Sequence, residues 1–232
     1  MERLMFKAFF FDMDGVVFNS MPIHAEAWET VMSKHHLDFT ARDCYLQEGR
    51  TGQSVIEECF LRNRGRMPSE EEWKTIYKEK KDLFLSHGKA PLMDGIRDLL
   101  YWLRDLPSQP QIFLVTGSGM RTLLDEINVE LPGIFTRERM VTAFDYTHGK
   151  PDPEPYLIAY KKAQAADPAL KKSECCVVEN APLGVQSGKS AGLFVAGVNT
   201  GILTEEDLLS AGADRTFPTM QALHSYLLSA FL

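Results

Sequence analysis

The chain has 232 residues, of which 44% are hydrophobic, 25% charged and 10% aromatic, enough to bury a sizeable core as one domain with an insertion or as two small domains. Its net charge of −7 argues against a nucleic-acid partner, because phosphate backbones are held by clustered Lys and Arg. The apolar run in MERLMFKAFFFDMDG is too short for a secretory core and no segment reaches bilayer-spanning length, so a cytoplasmic protein with no membrane partner is expected.

Residues 6–11 read as a buried strand, and they run directly into Asp12-Met13-Asp14-Gly15. Asp and Gly after a strand are ordinary turn formers, yet two acids one residue apart also suit a reaction centre. From there to residue 89 no convincing strand appears, which is too long for an ordinary crossover. Within that stretch Trp28, Val31, Met32 and His35 are helically spaced, as are Val55, Ile56, Cys59 and Phe60. Ser69 and Glu72 have capping-box spacing, and Gly88 stands where a helix would be closed by glycine. The basic runs at 62–66 and 78–81 are interrupted by Gly or Glu and read as solvated faces. The stretch is therefore predicted to be a helical cap over residues 18–89, joined near 16–22 and 88–93 to a core made of 1–17 and 90–232.

Further short apolar runs follow at 111–115, 140–144, 175–178, 193–198 and, more weakly, 213–217. Between them, Ile96, Leu99, Leu100 and Leu103 form one helical stripe, and Tyr156, Leu157, Tyr160 and Ala163 another. Strands alternating with such stripes predict an α/β fold with a parallel sheet and crossover helices. Cys44, Cys59, Cys175 and Cys176 lack metal-binding spacing and read as buried, reduced thiols, while the ten methionines read as core filling.

Four polar elements sit where predicted strands end, the side on which parallel α/β sheets bind ligands. They are Asp12-Met13-Asp14-Gly15, Thr116-Gly117-Ser118-Gly119, Lys150 in HGKPDPEPY, and Glu179-Asn180 in VVENAPLG. Each alone is weak evidence for chemistry. In this order they resemble the four motifs of the haloacid dehalogenase (HAD) superfamily of phosphotransferases, over the whole chain. FDMDGVVFNS, HAEAW and GKPDPEPY are similar to its β-phosphoglucomutase-like branch. FNSMP, EGRTG, VTGSG, VTAFD and ENAPLG resemble a bacterial inorganic pyrophosphatase subgroup of that branch. The resemblance implies a Rossmann-like parallel core of strand order five, four, one, two, three, with a helical cap inserted after the first motif.

It also implies a mechanism. Phosphoryl transfer passes through a loose, negatively charged transition state, so catalysis rests on an in-line nucleophile and on positive or N–H stabilisation of phosphate oxygens. Asp12 would attack phosphorus to form an aspartyl phosphate, and Asp14 would serve as general acid and then base. Mg²⁺ would be held by Asp12, the Asp14 carbonyl and the Asn180 side-chain oxygen, with Glu179 acting through a water. Thr116 and the Gly117 and Ser118 amides would grip phosphate at a helix amino terminus. Lys150 would neutralise phosphate and keep Asp12 ionised by lowering its pKa.

Two departures narrow the substrate. Asn180 stands where many members of the branch carry Asp, removing one negative charge near the metal, although Asn is also simply a neutral oxygen ligand. Mutases place an arginine where this chain has Gly52, and a Lys-x-Asn where it has Gly119-Met120. Glu48, aligned with a cap lysine, is expected over the reacting centre, where it would bind the leaving group and favour a compact substrate. A surface turn or a pairing with Arg50 are the alternatives. His24 matches a hinge histidine that orients the general acid, or is an ordinary packed residue. His35 and His36 cannot share one helical face, and His87, His148 and His224 show no partners in sequence. The expectation is a monomeric Mg²⁺-dependent phosphohydrolase of small phosphates, inorganic pyrophosphate first. A β-phosphoglucomutase is the alternative, and a non-catalytic phosphate-binding protein comes third.

Overall fold

Every residue of β1 (Ala8–Phe11) is buried, and its side chains alternate between two apolar clusters. Phe9 and Phe11 join one face of the sheet, Ala8 and Phe10 the other. A strand covered on both faces has no polar side to present, which is why the phenylalanines run together. The structure, a computed structural model, describes residues 6–118 and 123–231. Gly119 and Met120 lie outside the described residues.

After β1 the chain enters four helices, α1 (Met21–Lys34), α2 (Ala41–Leu46), α3 (Gly52–Arg64) and α4 (Glu70–Ser86). It returns through α5 (Ile96–Asp105), β2 (Gln111–Val115), α6 (Leu123–Glu130), β3 (Met140–Val141), α7 (Glu154–Ala166) and β4 (Cys175–Glu179). Then come α8 (Pro182–Ser190), β5 (Phe194–Val198), α9 (Glu205–Ser210), β6 (Arg215–Phe217) and α10 (Met220–Phe231). The six strands are parallel in the order β3-β2-β1-β4-β5-β6, the α/β arrangement anticipated from the motifs, with β6 added at the edge. α5 and α10 cover the face of Phe9 and Phe11, while α7 and α8 cover that of Phe10. Phe11 lies level with Leu114 of β2 and Val178 of β4, so the residues leaving these three strands meet at one edge.

β3 is shorter than the predicted run to residue 144. The amide and hydroxyl of Thr142 both donate to Asp145 Oδ2 at 2.8 Å, closing a turn, and the Ala143 amide goes to the Ser118 carbonyl instead of a strand partner. All four cysteines are free and buried. Among the described residues no helix is long and apolar enough to cross a membrane.

The four inserted helices carry their own apolar cluster, including Trp28, Val31, Met32, Val55, Ile56, Cys59 and Phe60. Ser69 and Glu72 form the anticipated capping box, and Gly88 takes a left-handed φ of +78° after α4. The two connectors run side by side, with the Met93 amide donating to Val17 O and the Asn19 amide to Pro91 O, both at 2.9 Å. The reading of 78–81 as a solvated face fails at one position. Lys80 lies one helical turn after buried Ile76, so it faces α1, only 7% exposed, between the rings of Trp28 and Phe84.

His224 on α10 rests against Trp102, ring centroids 4.9 Å apart, with its Nε2 buried and unpartnered among the described residues. Burial holds its pKa below the ordinary 6.5, against a weaker upward pull from Asp98. The unfolded chain therefore takes up this proton first as pH falls. The stability tied to the neutral ring is present above 6.5 and lost as pH drops towards the folded value. Thermal unfolding followed between about pH 7 and about pH 5 should show a steeper loss of stability in the wild type than in His224→Phe. Parallel curves would remove His224 from the account.

Candidate active site

Asp12 leaves β1 with its amide bound to Val178 O at 3.0 Å, so its side chain starts from a fixed point between β2 and β4. It is 4% exposed. Lys150, in the loop between β3 and α7, reaches across to donate to Asp12 Oδ1 and to Glu179 Oε1, the latter at 2.6 Å. Glu179, the last residue of β4, also accepts from the Tyr156 hydroxyl at 2.6 Å through Oε1 and from the Asn180 amide at 3.2 Å through Oε2. Its oxygens are thus engaged by protein donors, and its visible task is to hold Lys150. Tyr156 was expected only as part of a helix stripe. It is fully buried and faces the sheet as expected, but its hydroxyl end belongs to this network.

The ammonium between two carboxylates pulls the Asp12 pKa down as expected, but against a larger opposing influence. Burial is the largest influence and raises the Asp12 pKa, the Lys150 charge lowers it, and Glu179 and Asp14 raise it again, leaving it at about 7. Lys150 thus lowers this carboxyl as anticipated, by its charge and its hydrogen bond, but burial and the neighbouring acids outweigh it. Lys150 itself is pushed down by burial but held well above its ordinary value by Asp12 and Glu179.

Asp14 stands apart from this triad. Its Oδ1 accepts from Ser20 Oγ at 2.6 Å and lies 3.5 Å from His24 Nε2, whose Nδ1 is 2.7 Å from Lys80 Nζ. Burial pushes Asp14 up, but the contacts with His24 and Ser20 and the Lys80 charge outweigh it and leave the carboxyl below its usual range. Burial lowers the Lys80 ammonium to about 8. Sequence reasoning gave neither Ser20 nor Lys80 a role. Ser20 stood only inside the quoted segments FDMDGVVFNS and FNSMP, and Lys80 could have been found from its place one helical turn after the apolar Ile76.

Thr116 follows β2, and its Oγ1 accepts from the Ser118 amide at 3.0 Å. The Ser118 amide is thereby taken, while among the described residues no acceptor is recorded for the Gly117 amide, the other expected phosphate donor. Asn180 leaves β4 and its side chain lies close against Gly15. Gly15 allows that approach: it holds φ +80°, and a Cβ on it would come within 2.2 Å of Asn180 Nδ2.

Glu48 comes down from the insert, where it follows α2, and its Oε2 accepts from Asn180 Nδ2 at 2.9 Å. It does not pair with Arg50, which turns instead to Ser54 and Glu58. Burial raises the Glu48 pKa well above the ordinary value, and the charges of Asp12, Glu179 and Asp14 add to the effect. Because Glu48 holds the amide nitrogen, Asn180 Oδ1 is left buried with no partner among the described residues. The structure therefore gathers Asp12, Lys150, Glu179, Asn180 and Glu48 at the end of the central strands, with Asp14 and His24 on the insert side and Thr116 and Gly117 on the other.

A model of the family described as "Hydrolase: haloacid dehalogenase-like hydrolase" matches residues 6–192. The chain belongs to this family. Within it, the chain falls in the β-phosphoglucomutase-like branch. This HAD protein is similar to a solved structure from Bacteroides vulgatus described as a candidate beta-phosphoglucomutase, with 42% identity and a TM-score of 0.88, covering 99% of this chain and 90% of that one. It is 29% identical over 222 residues to hexitol phosphatase A of Escherichia coli (strain K12), covering 93% and 95% of the two chains. It is 25% identical over 200 residues to beta-phosphoglucomutase of Bacillus subtilis (strain 168), covering 84% of each.

Removing the Tyr156 hydroxyl deletes one of two hydrogen bonds to Glu179 Oε1. Tyr156→Phe should therefore lower stability by about 1.5–3 kcal/mol in urea unfolding with the denaturant slope unchanged, the usual range for a hydrogen bond to a charged group. An unchanged midpoint would mean that the bond contributes nothing net.

Proposed function

We propose that this HAD protein is a Mg²⁺-dependent phosphohydrolase that works through an aspartyl phosphate, with inorganic pyrophosphate as its favoured substrate among small phosphates. The observation that carries the reading is Glu48 on Asn180, 2.9 Å away over the catalytic groups. A carboxyl in that place occupies the room a bulky leaving group would need, and so restricts the site to a compact substrate. A second feature points the same way. The ring of Tyr77 lies over Gly52, the position at which mutases place a phosphate-gripping arginine, and even a Cβ there would come within 2.1 Å of it.

The cation is tested by the donors present. Asn180 Oδ1 is a buried oxygen without a partner, Asp12 adds a carboxylate, and no donor is recorded on the Asp14 carbonyl. Among the described residues no group of three or more His, Cys, Asp or Glu has the geometry of a metal site by itself, so the set proposed here is one carboxylate with neutral oxygens. That suits Mg²⁺, which takes few protein oxygens and keeps its waters. When bound, Mg²⁺ supplies positive charge that favours ionised Asp12 and screens the phosphate oxygens.

The chain's own groups then divide the work. Lys150 holds Asp12 Oδ1, and the other carboxylate oxygen has no recorded partner among the described residues, leaving it to attack. As the new oxygen–phosphorus bond forms, the bond to the leaving oxygen breaks, and Asp14 gives that oxygen a proton. Asp14, now ionised, takes a proton from water, whose oxygen displaces phosphate from Asp12 and restores the free carboxylate. The low pKa of Asp14 suits the second half, in which it must be a base. Thr116 and the Gly117 amide bind phosphate oxygens while this proceeds. Ser20 and His24 orient the Asp14 carboxyl.

A phosphosugar mutase is the second reading, favoured by the 42% identity to the Bacteroides vulgatus protein. The two separate in one experiment: phosphate release with Mg²⁺ from pyrophosphate and from a panel of sugar phosphates, alongside conversion of β-glucose 1-phosphate to glucose 6-phosphate. The proposal expects pyrophosphate to be turned over best, and strong mutase turnover with poor hydrolysis would reverse the ranking.

Two variants probe the roles. Asp12→Asn should abolish turnover and the trapped acyl phosphate, a loss of about four orders of magnitude or more, as expected when a covalent nucleophile is removed. Glu48→Ala should raise sugar phosphate turnover relative to pyrophosphate, and equal kinetics on both would remove Glu48 from substrate selection.

A further inference from the structure

The insert meets the core at the catalytic edge and, independently, along residues 199–207. There the core contributes the loop after β5 and the start of α9. The Thr200 hydroxyl donates to Gly15 O at 2.5 Å, so this loop grips the segment that leads from Asp14 into the insert. The ring of Tyr45, on α2, lies close against Gly201, and a Cβ at Gly201 would fall 2.2 Å from Tyr45 Cε1 and 2.8 Å from Cδ1. Leu203 is 5% exposed because it is packed inside the apolar cluster of the insert rather than in either cluster of the core. Beyond it, Arg42 of α2 donates to Asp207 at 2.7 Å.

These contacts converge on one short element. α2 spans six residues, Arg42 and Tyr45 lie on it, and the residue two beyond its end is Glu48. A six-residue helix is too short to hold its own direction in isolation, so its orientation comes from what it rests on. The contacts with residues 199–207 fix α2 on the core, and Glu48 lies beyond its end.

We propose that residues 199–207 are the platform on which the insert docks, and that Gly201 and Leu203 are positioning residues that set where Glu48 comes to rest. Apolar contact does most of this. The Arg42–Asp207 pair is half exposed on the arginine side and contributes little free energy, but it gives direction. The absence of a side chain at Gly201 is the central requirement, since a Cβ there would take the space that Tyr45 Cε1 occupies. The consequence for turnover rests on the reading of Glu48 given above, whereas the docking itself does not.

Gly201→Ala tests both parts. Gly201 lies in an exposed loop with an unexceptional φ, so the added methyl leaves the core fold intact and displaces Tyr45. Amide hydrogen exchange with the full chain should show residues 41–50 exchanging about tenfold faster or more, with α5 and β4 unchanged. Turnover of pyrophosphate should fall roughly tenfold, chiefly in kcat, the scale expected when a catalytic group is misplaced by a fraction of an ångström or more. Unchanged exchange at 41–50 would overturn the platform whatever the substrate is. Faster exchange with an unchanged ratio of pyrophosphate to sugar phosphate turnover would support the platform and instead remove Glu48 from substrate selection.

A second variant guards against an unrelated effect of the methyl. Tyr45→Leu makes room for it, so Gly201→Ala added to Tyr45→Leu should cost no more than Tyr45→Leu alone. Additive losses would show that Gly201 acts somewhere other than on Tyr45, and would sink the proposal.

Discussion

The ammonium of Lys150, buried between Asp12 and Glu179, is the contact on which the site depends. Two carboxylates cannot share a dry site without a counter-charge, and a lysine cannot be buried without acids to hold its proton. Each solves the other's problem, but only if three separate segments arrive together. The buried phenylalanine strand brings Asp12, β4 brings Glu179, and the loop before α7 brings Lys150 from the far side of β2. Tyr156 then locks Glu179 from the helix that follows Lys150, so α7 supports the pair at both ends. Parallel strands that finish level are what make this meeting possible.

Asp14 shows how one intervening residue separates two carboxyls chemically. Asp12 belongs to the core network and is raised to about 7 by burial among acids. Asp14 turns towards the insert, where Ser20 and His24 hold it and the charge of buried Lys80 adds its pull, and it is lowered. Neighbours in sequence thus titrate in opposite directions because one packs against the sheet and the other against α1 and α4. The contacts of Asp14 therefore come from the insert, while the hydrogen bond that holds Asp12 comes from Lys150 of the core.

The parts of the structure that repeat local rules were legible in the sequence. The run of phenylalanines, the long gap before the next strand, the Ser69 and Glu72 box and the four strand-end motifs each have a short-range cause, and they led to the α/β core and to the helical insert. What escaped depends on contacts between distant segments. Lys80 looked solvated because its own neighbours are charged, and only the approach of α1 makes it interior. Tyr156 looked like one more apolar position, because nothing local reveals that its hydroxyl ends at Glu179. The net direction of the Asp12 pKa escaped for the same reason: the downward pull of Lys150 could be inferred from motifs, whereas the depth of burial that outweighs it could not. The end of β3 was misplaced because Asp145, three residues along, captures the Thr142 amide.

The glycines and the insert point to a coupling of charge with closure. With the insert seated, Glu48 joins Asp12, Asp14 and Glu179, and the charges of those three acids and of Lys150 act on it. Bringing Glu48 down adds the fourth acid to a site already rich in them, and burial together with those neighbours raises its pKa well above normal. Any positive charge that enters near Asn180 relieves that repulsion and so favours the seated insert. By the same thermodynamic necessity, seating the insert favours the positive charge, because the two events share one free energy. The contact between Glu48 and the Asn180 side-chain amide holds that nitrogen and leaves Asn180 Oδ1 buried without a partner among the described residues, so the surroundings of that oxygen depend on the seated insert as well as on the core.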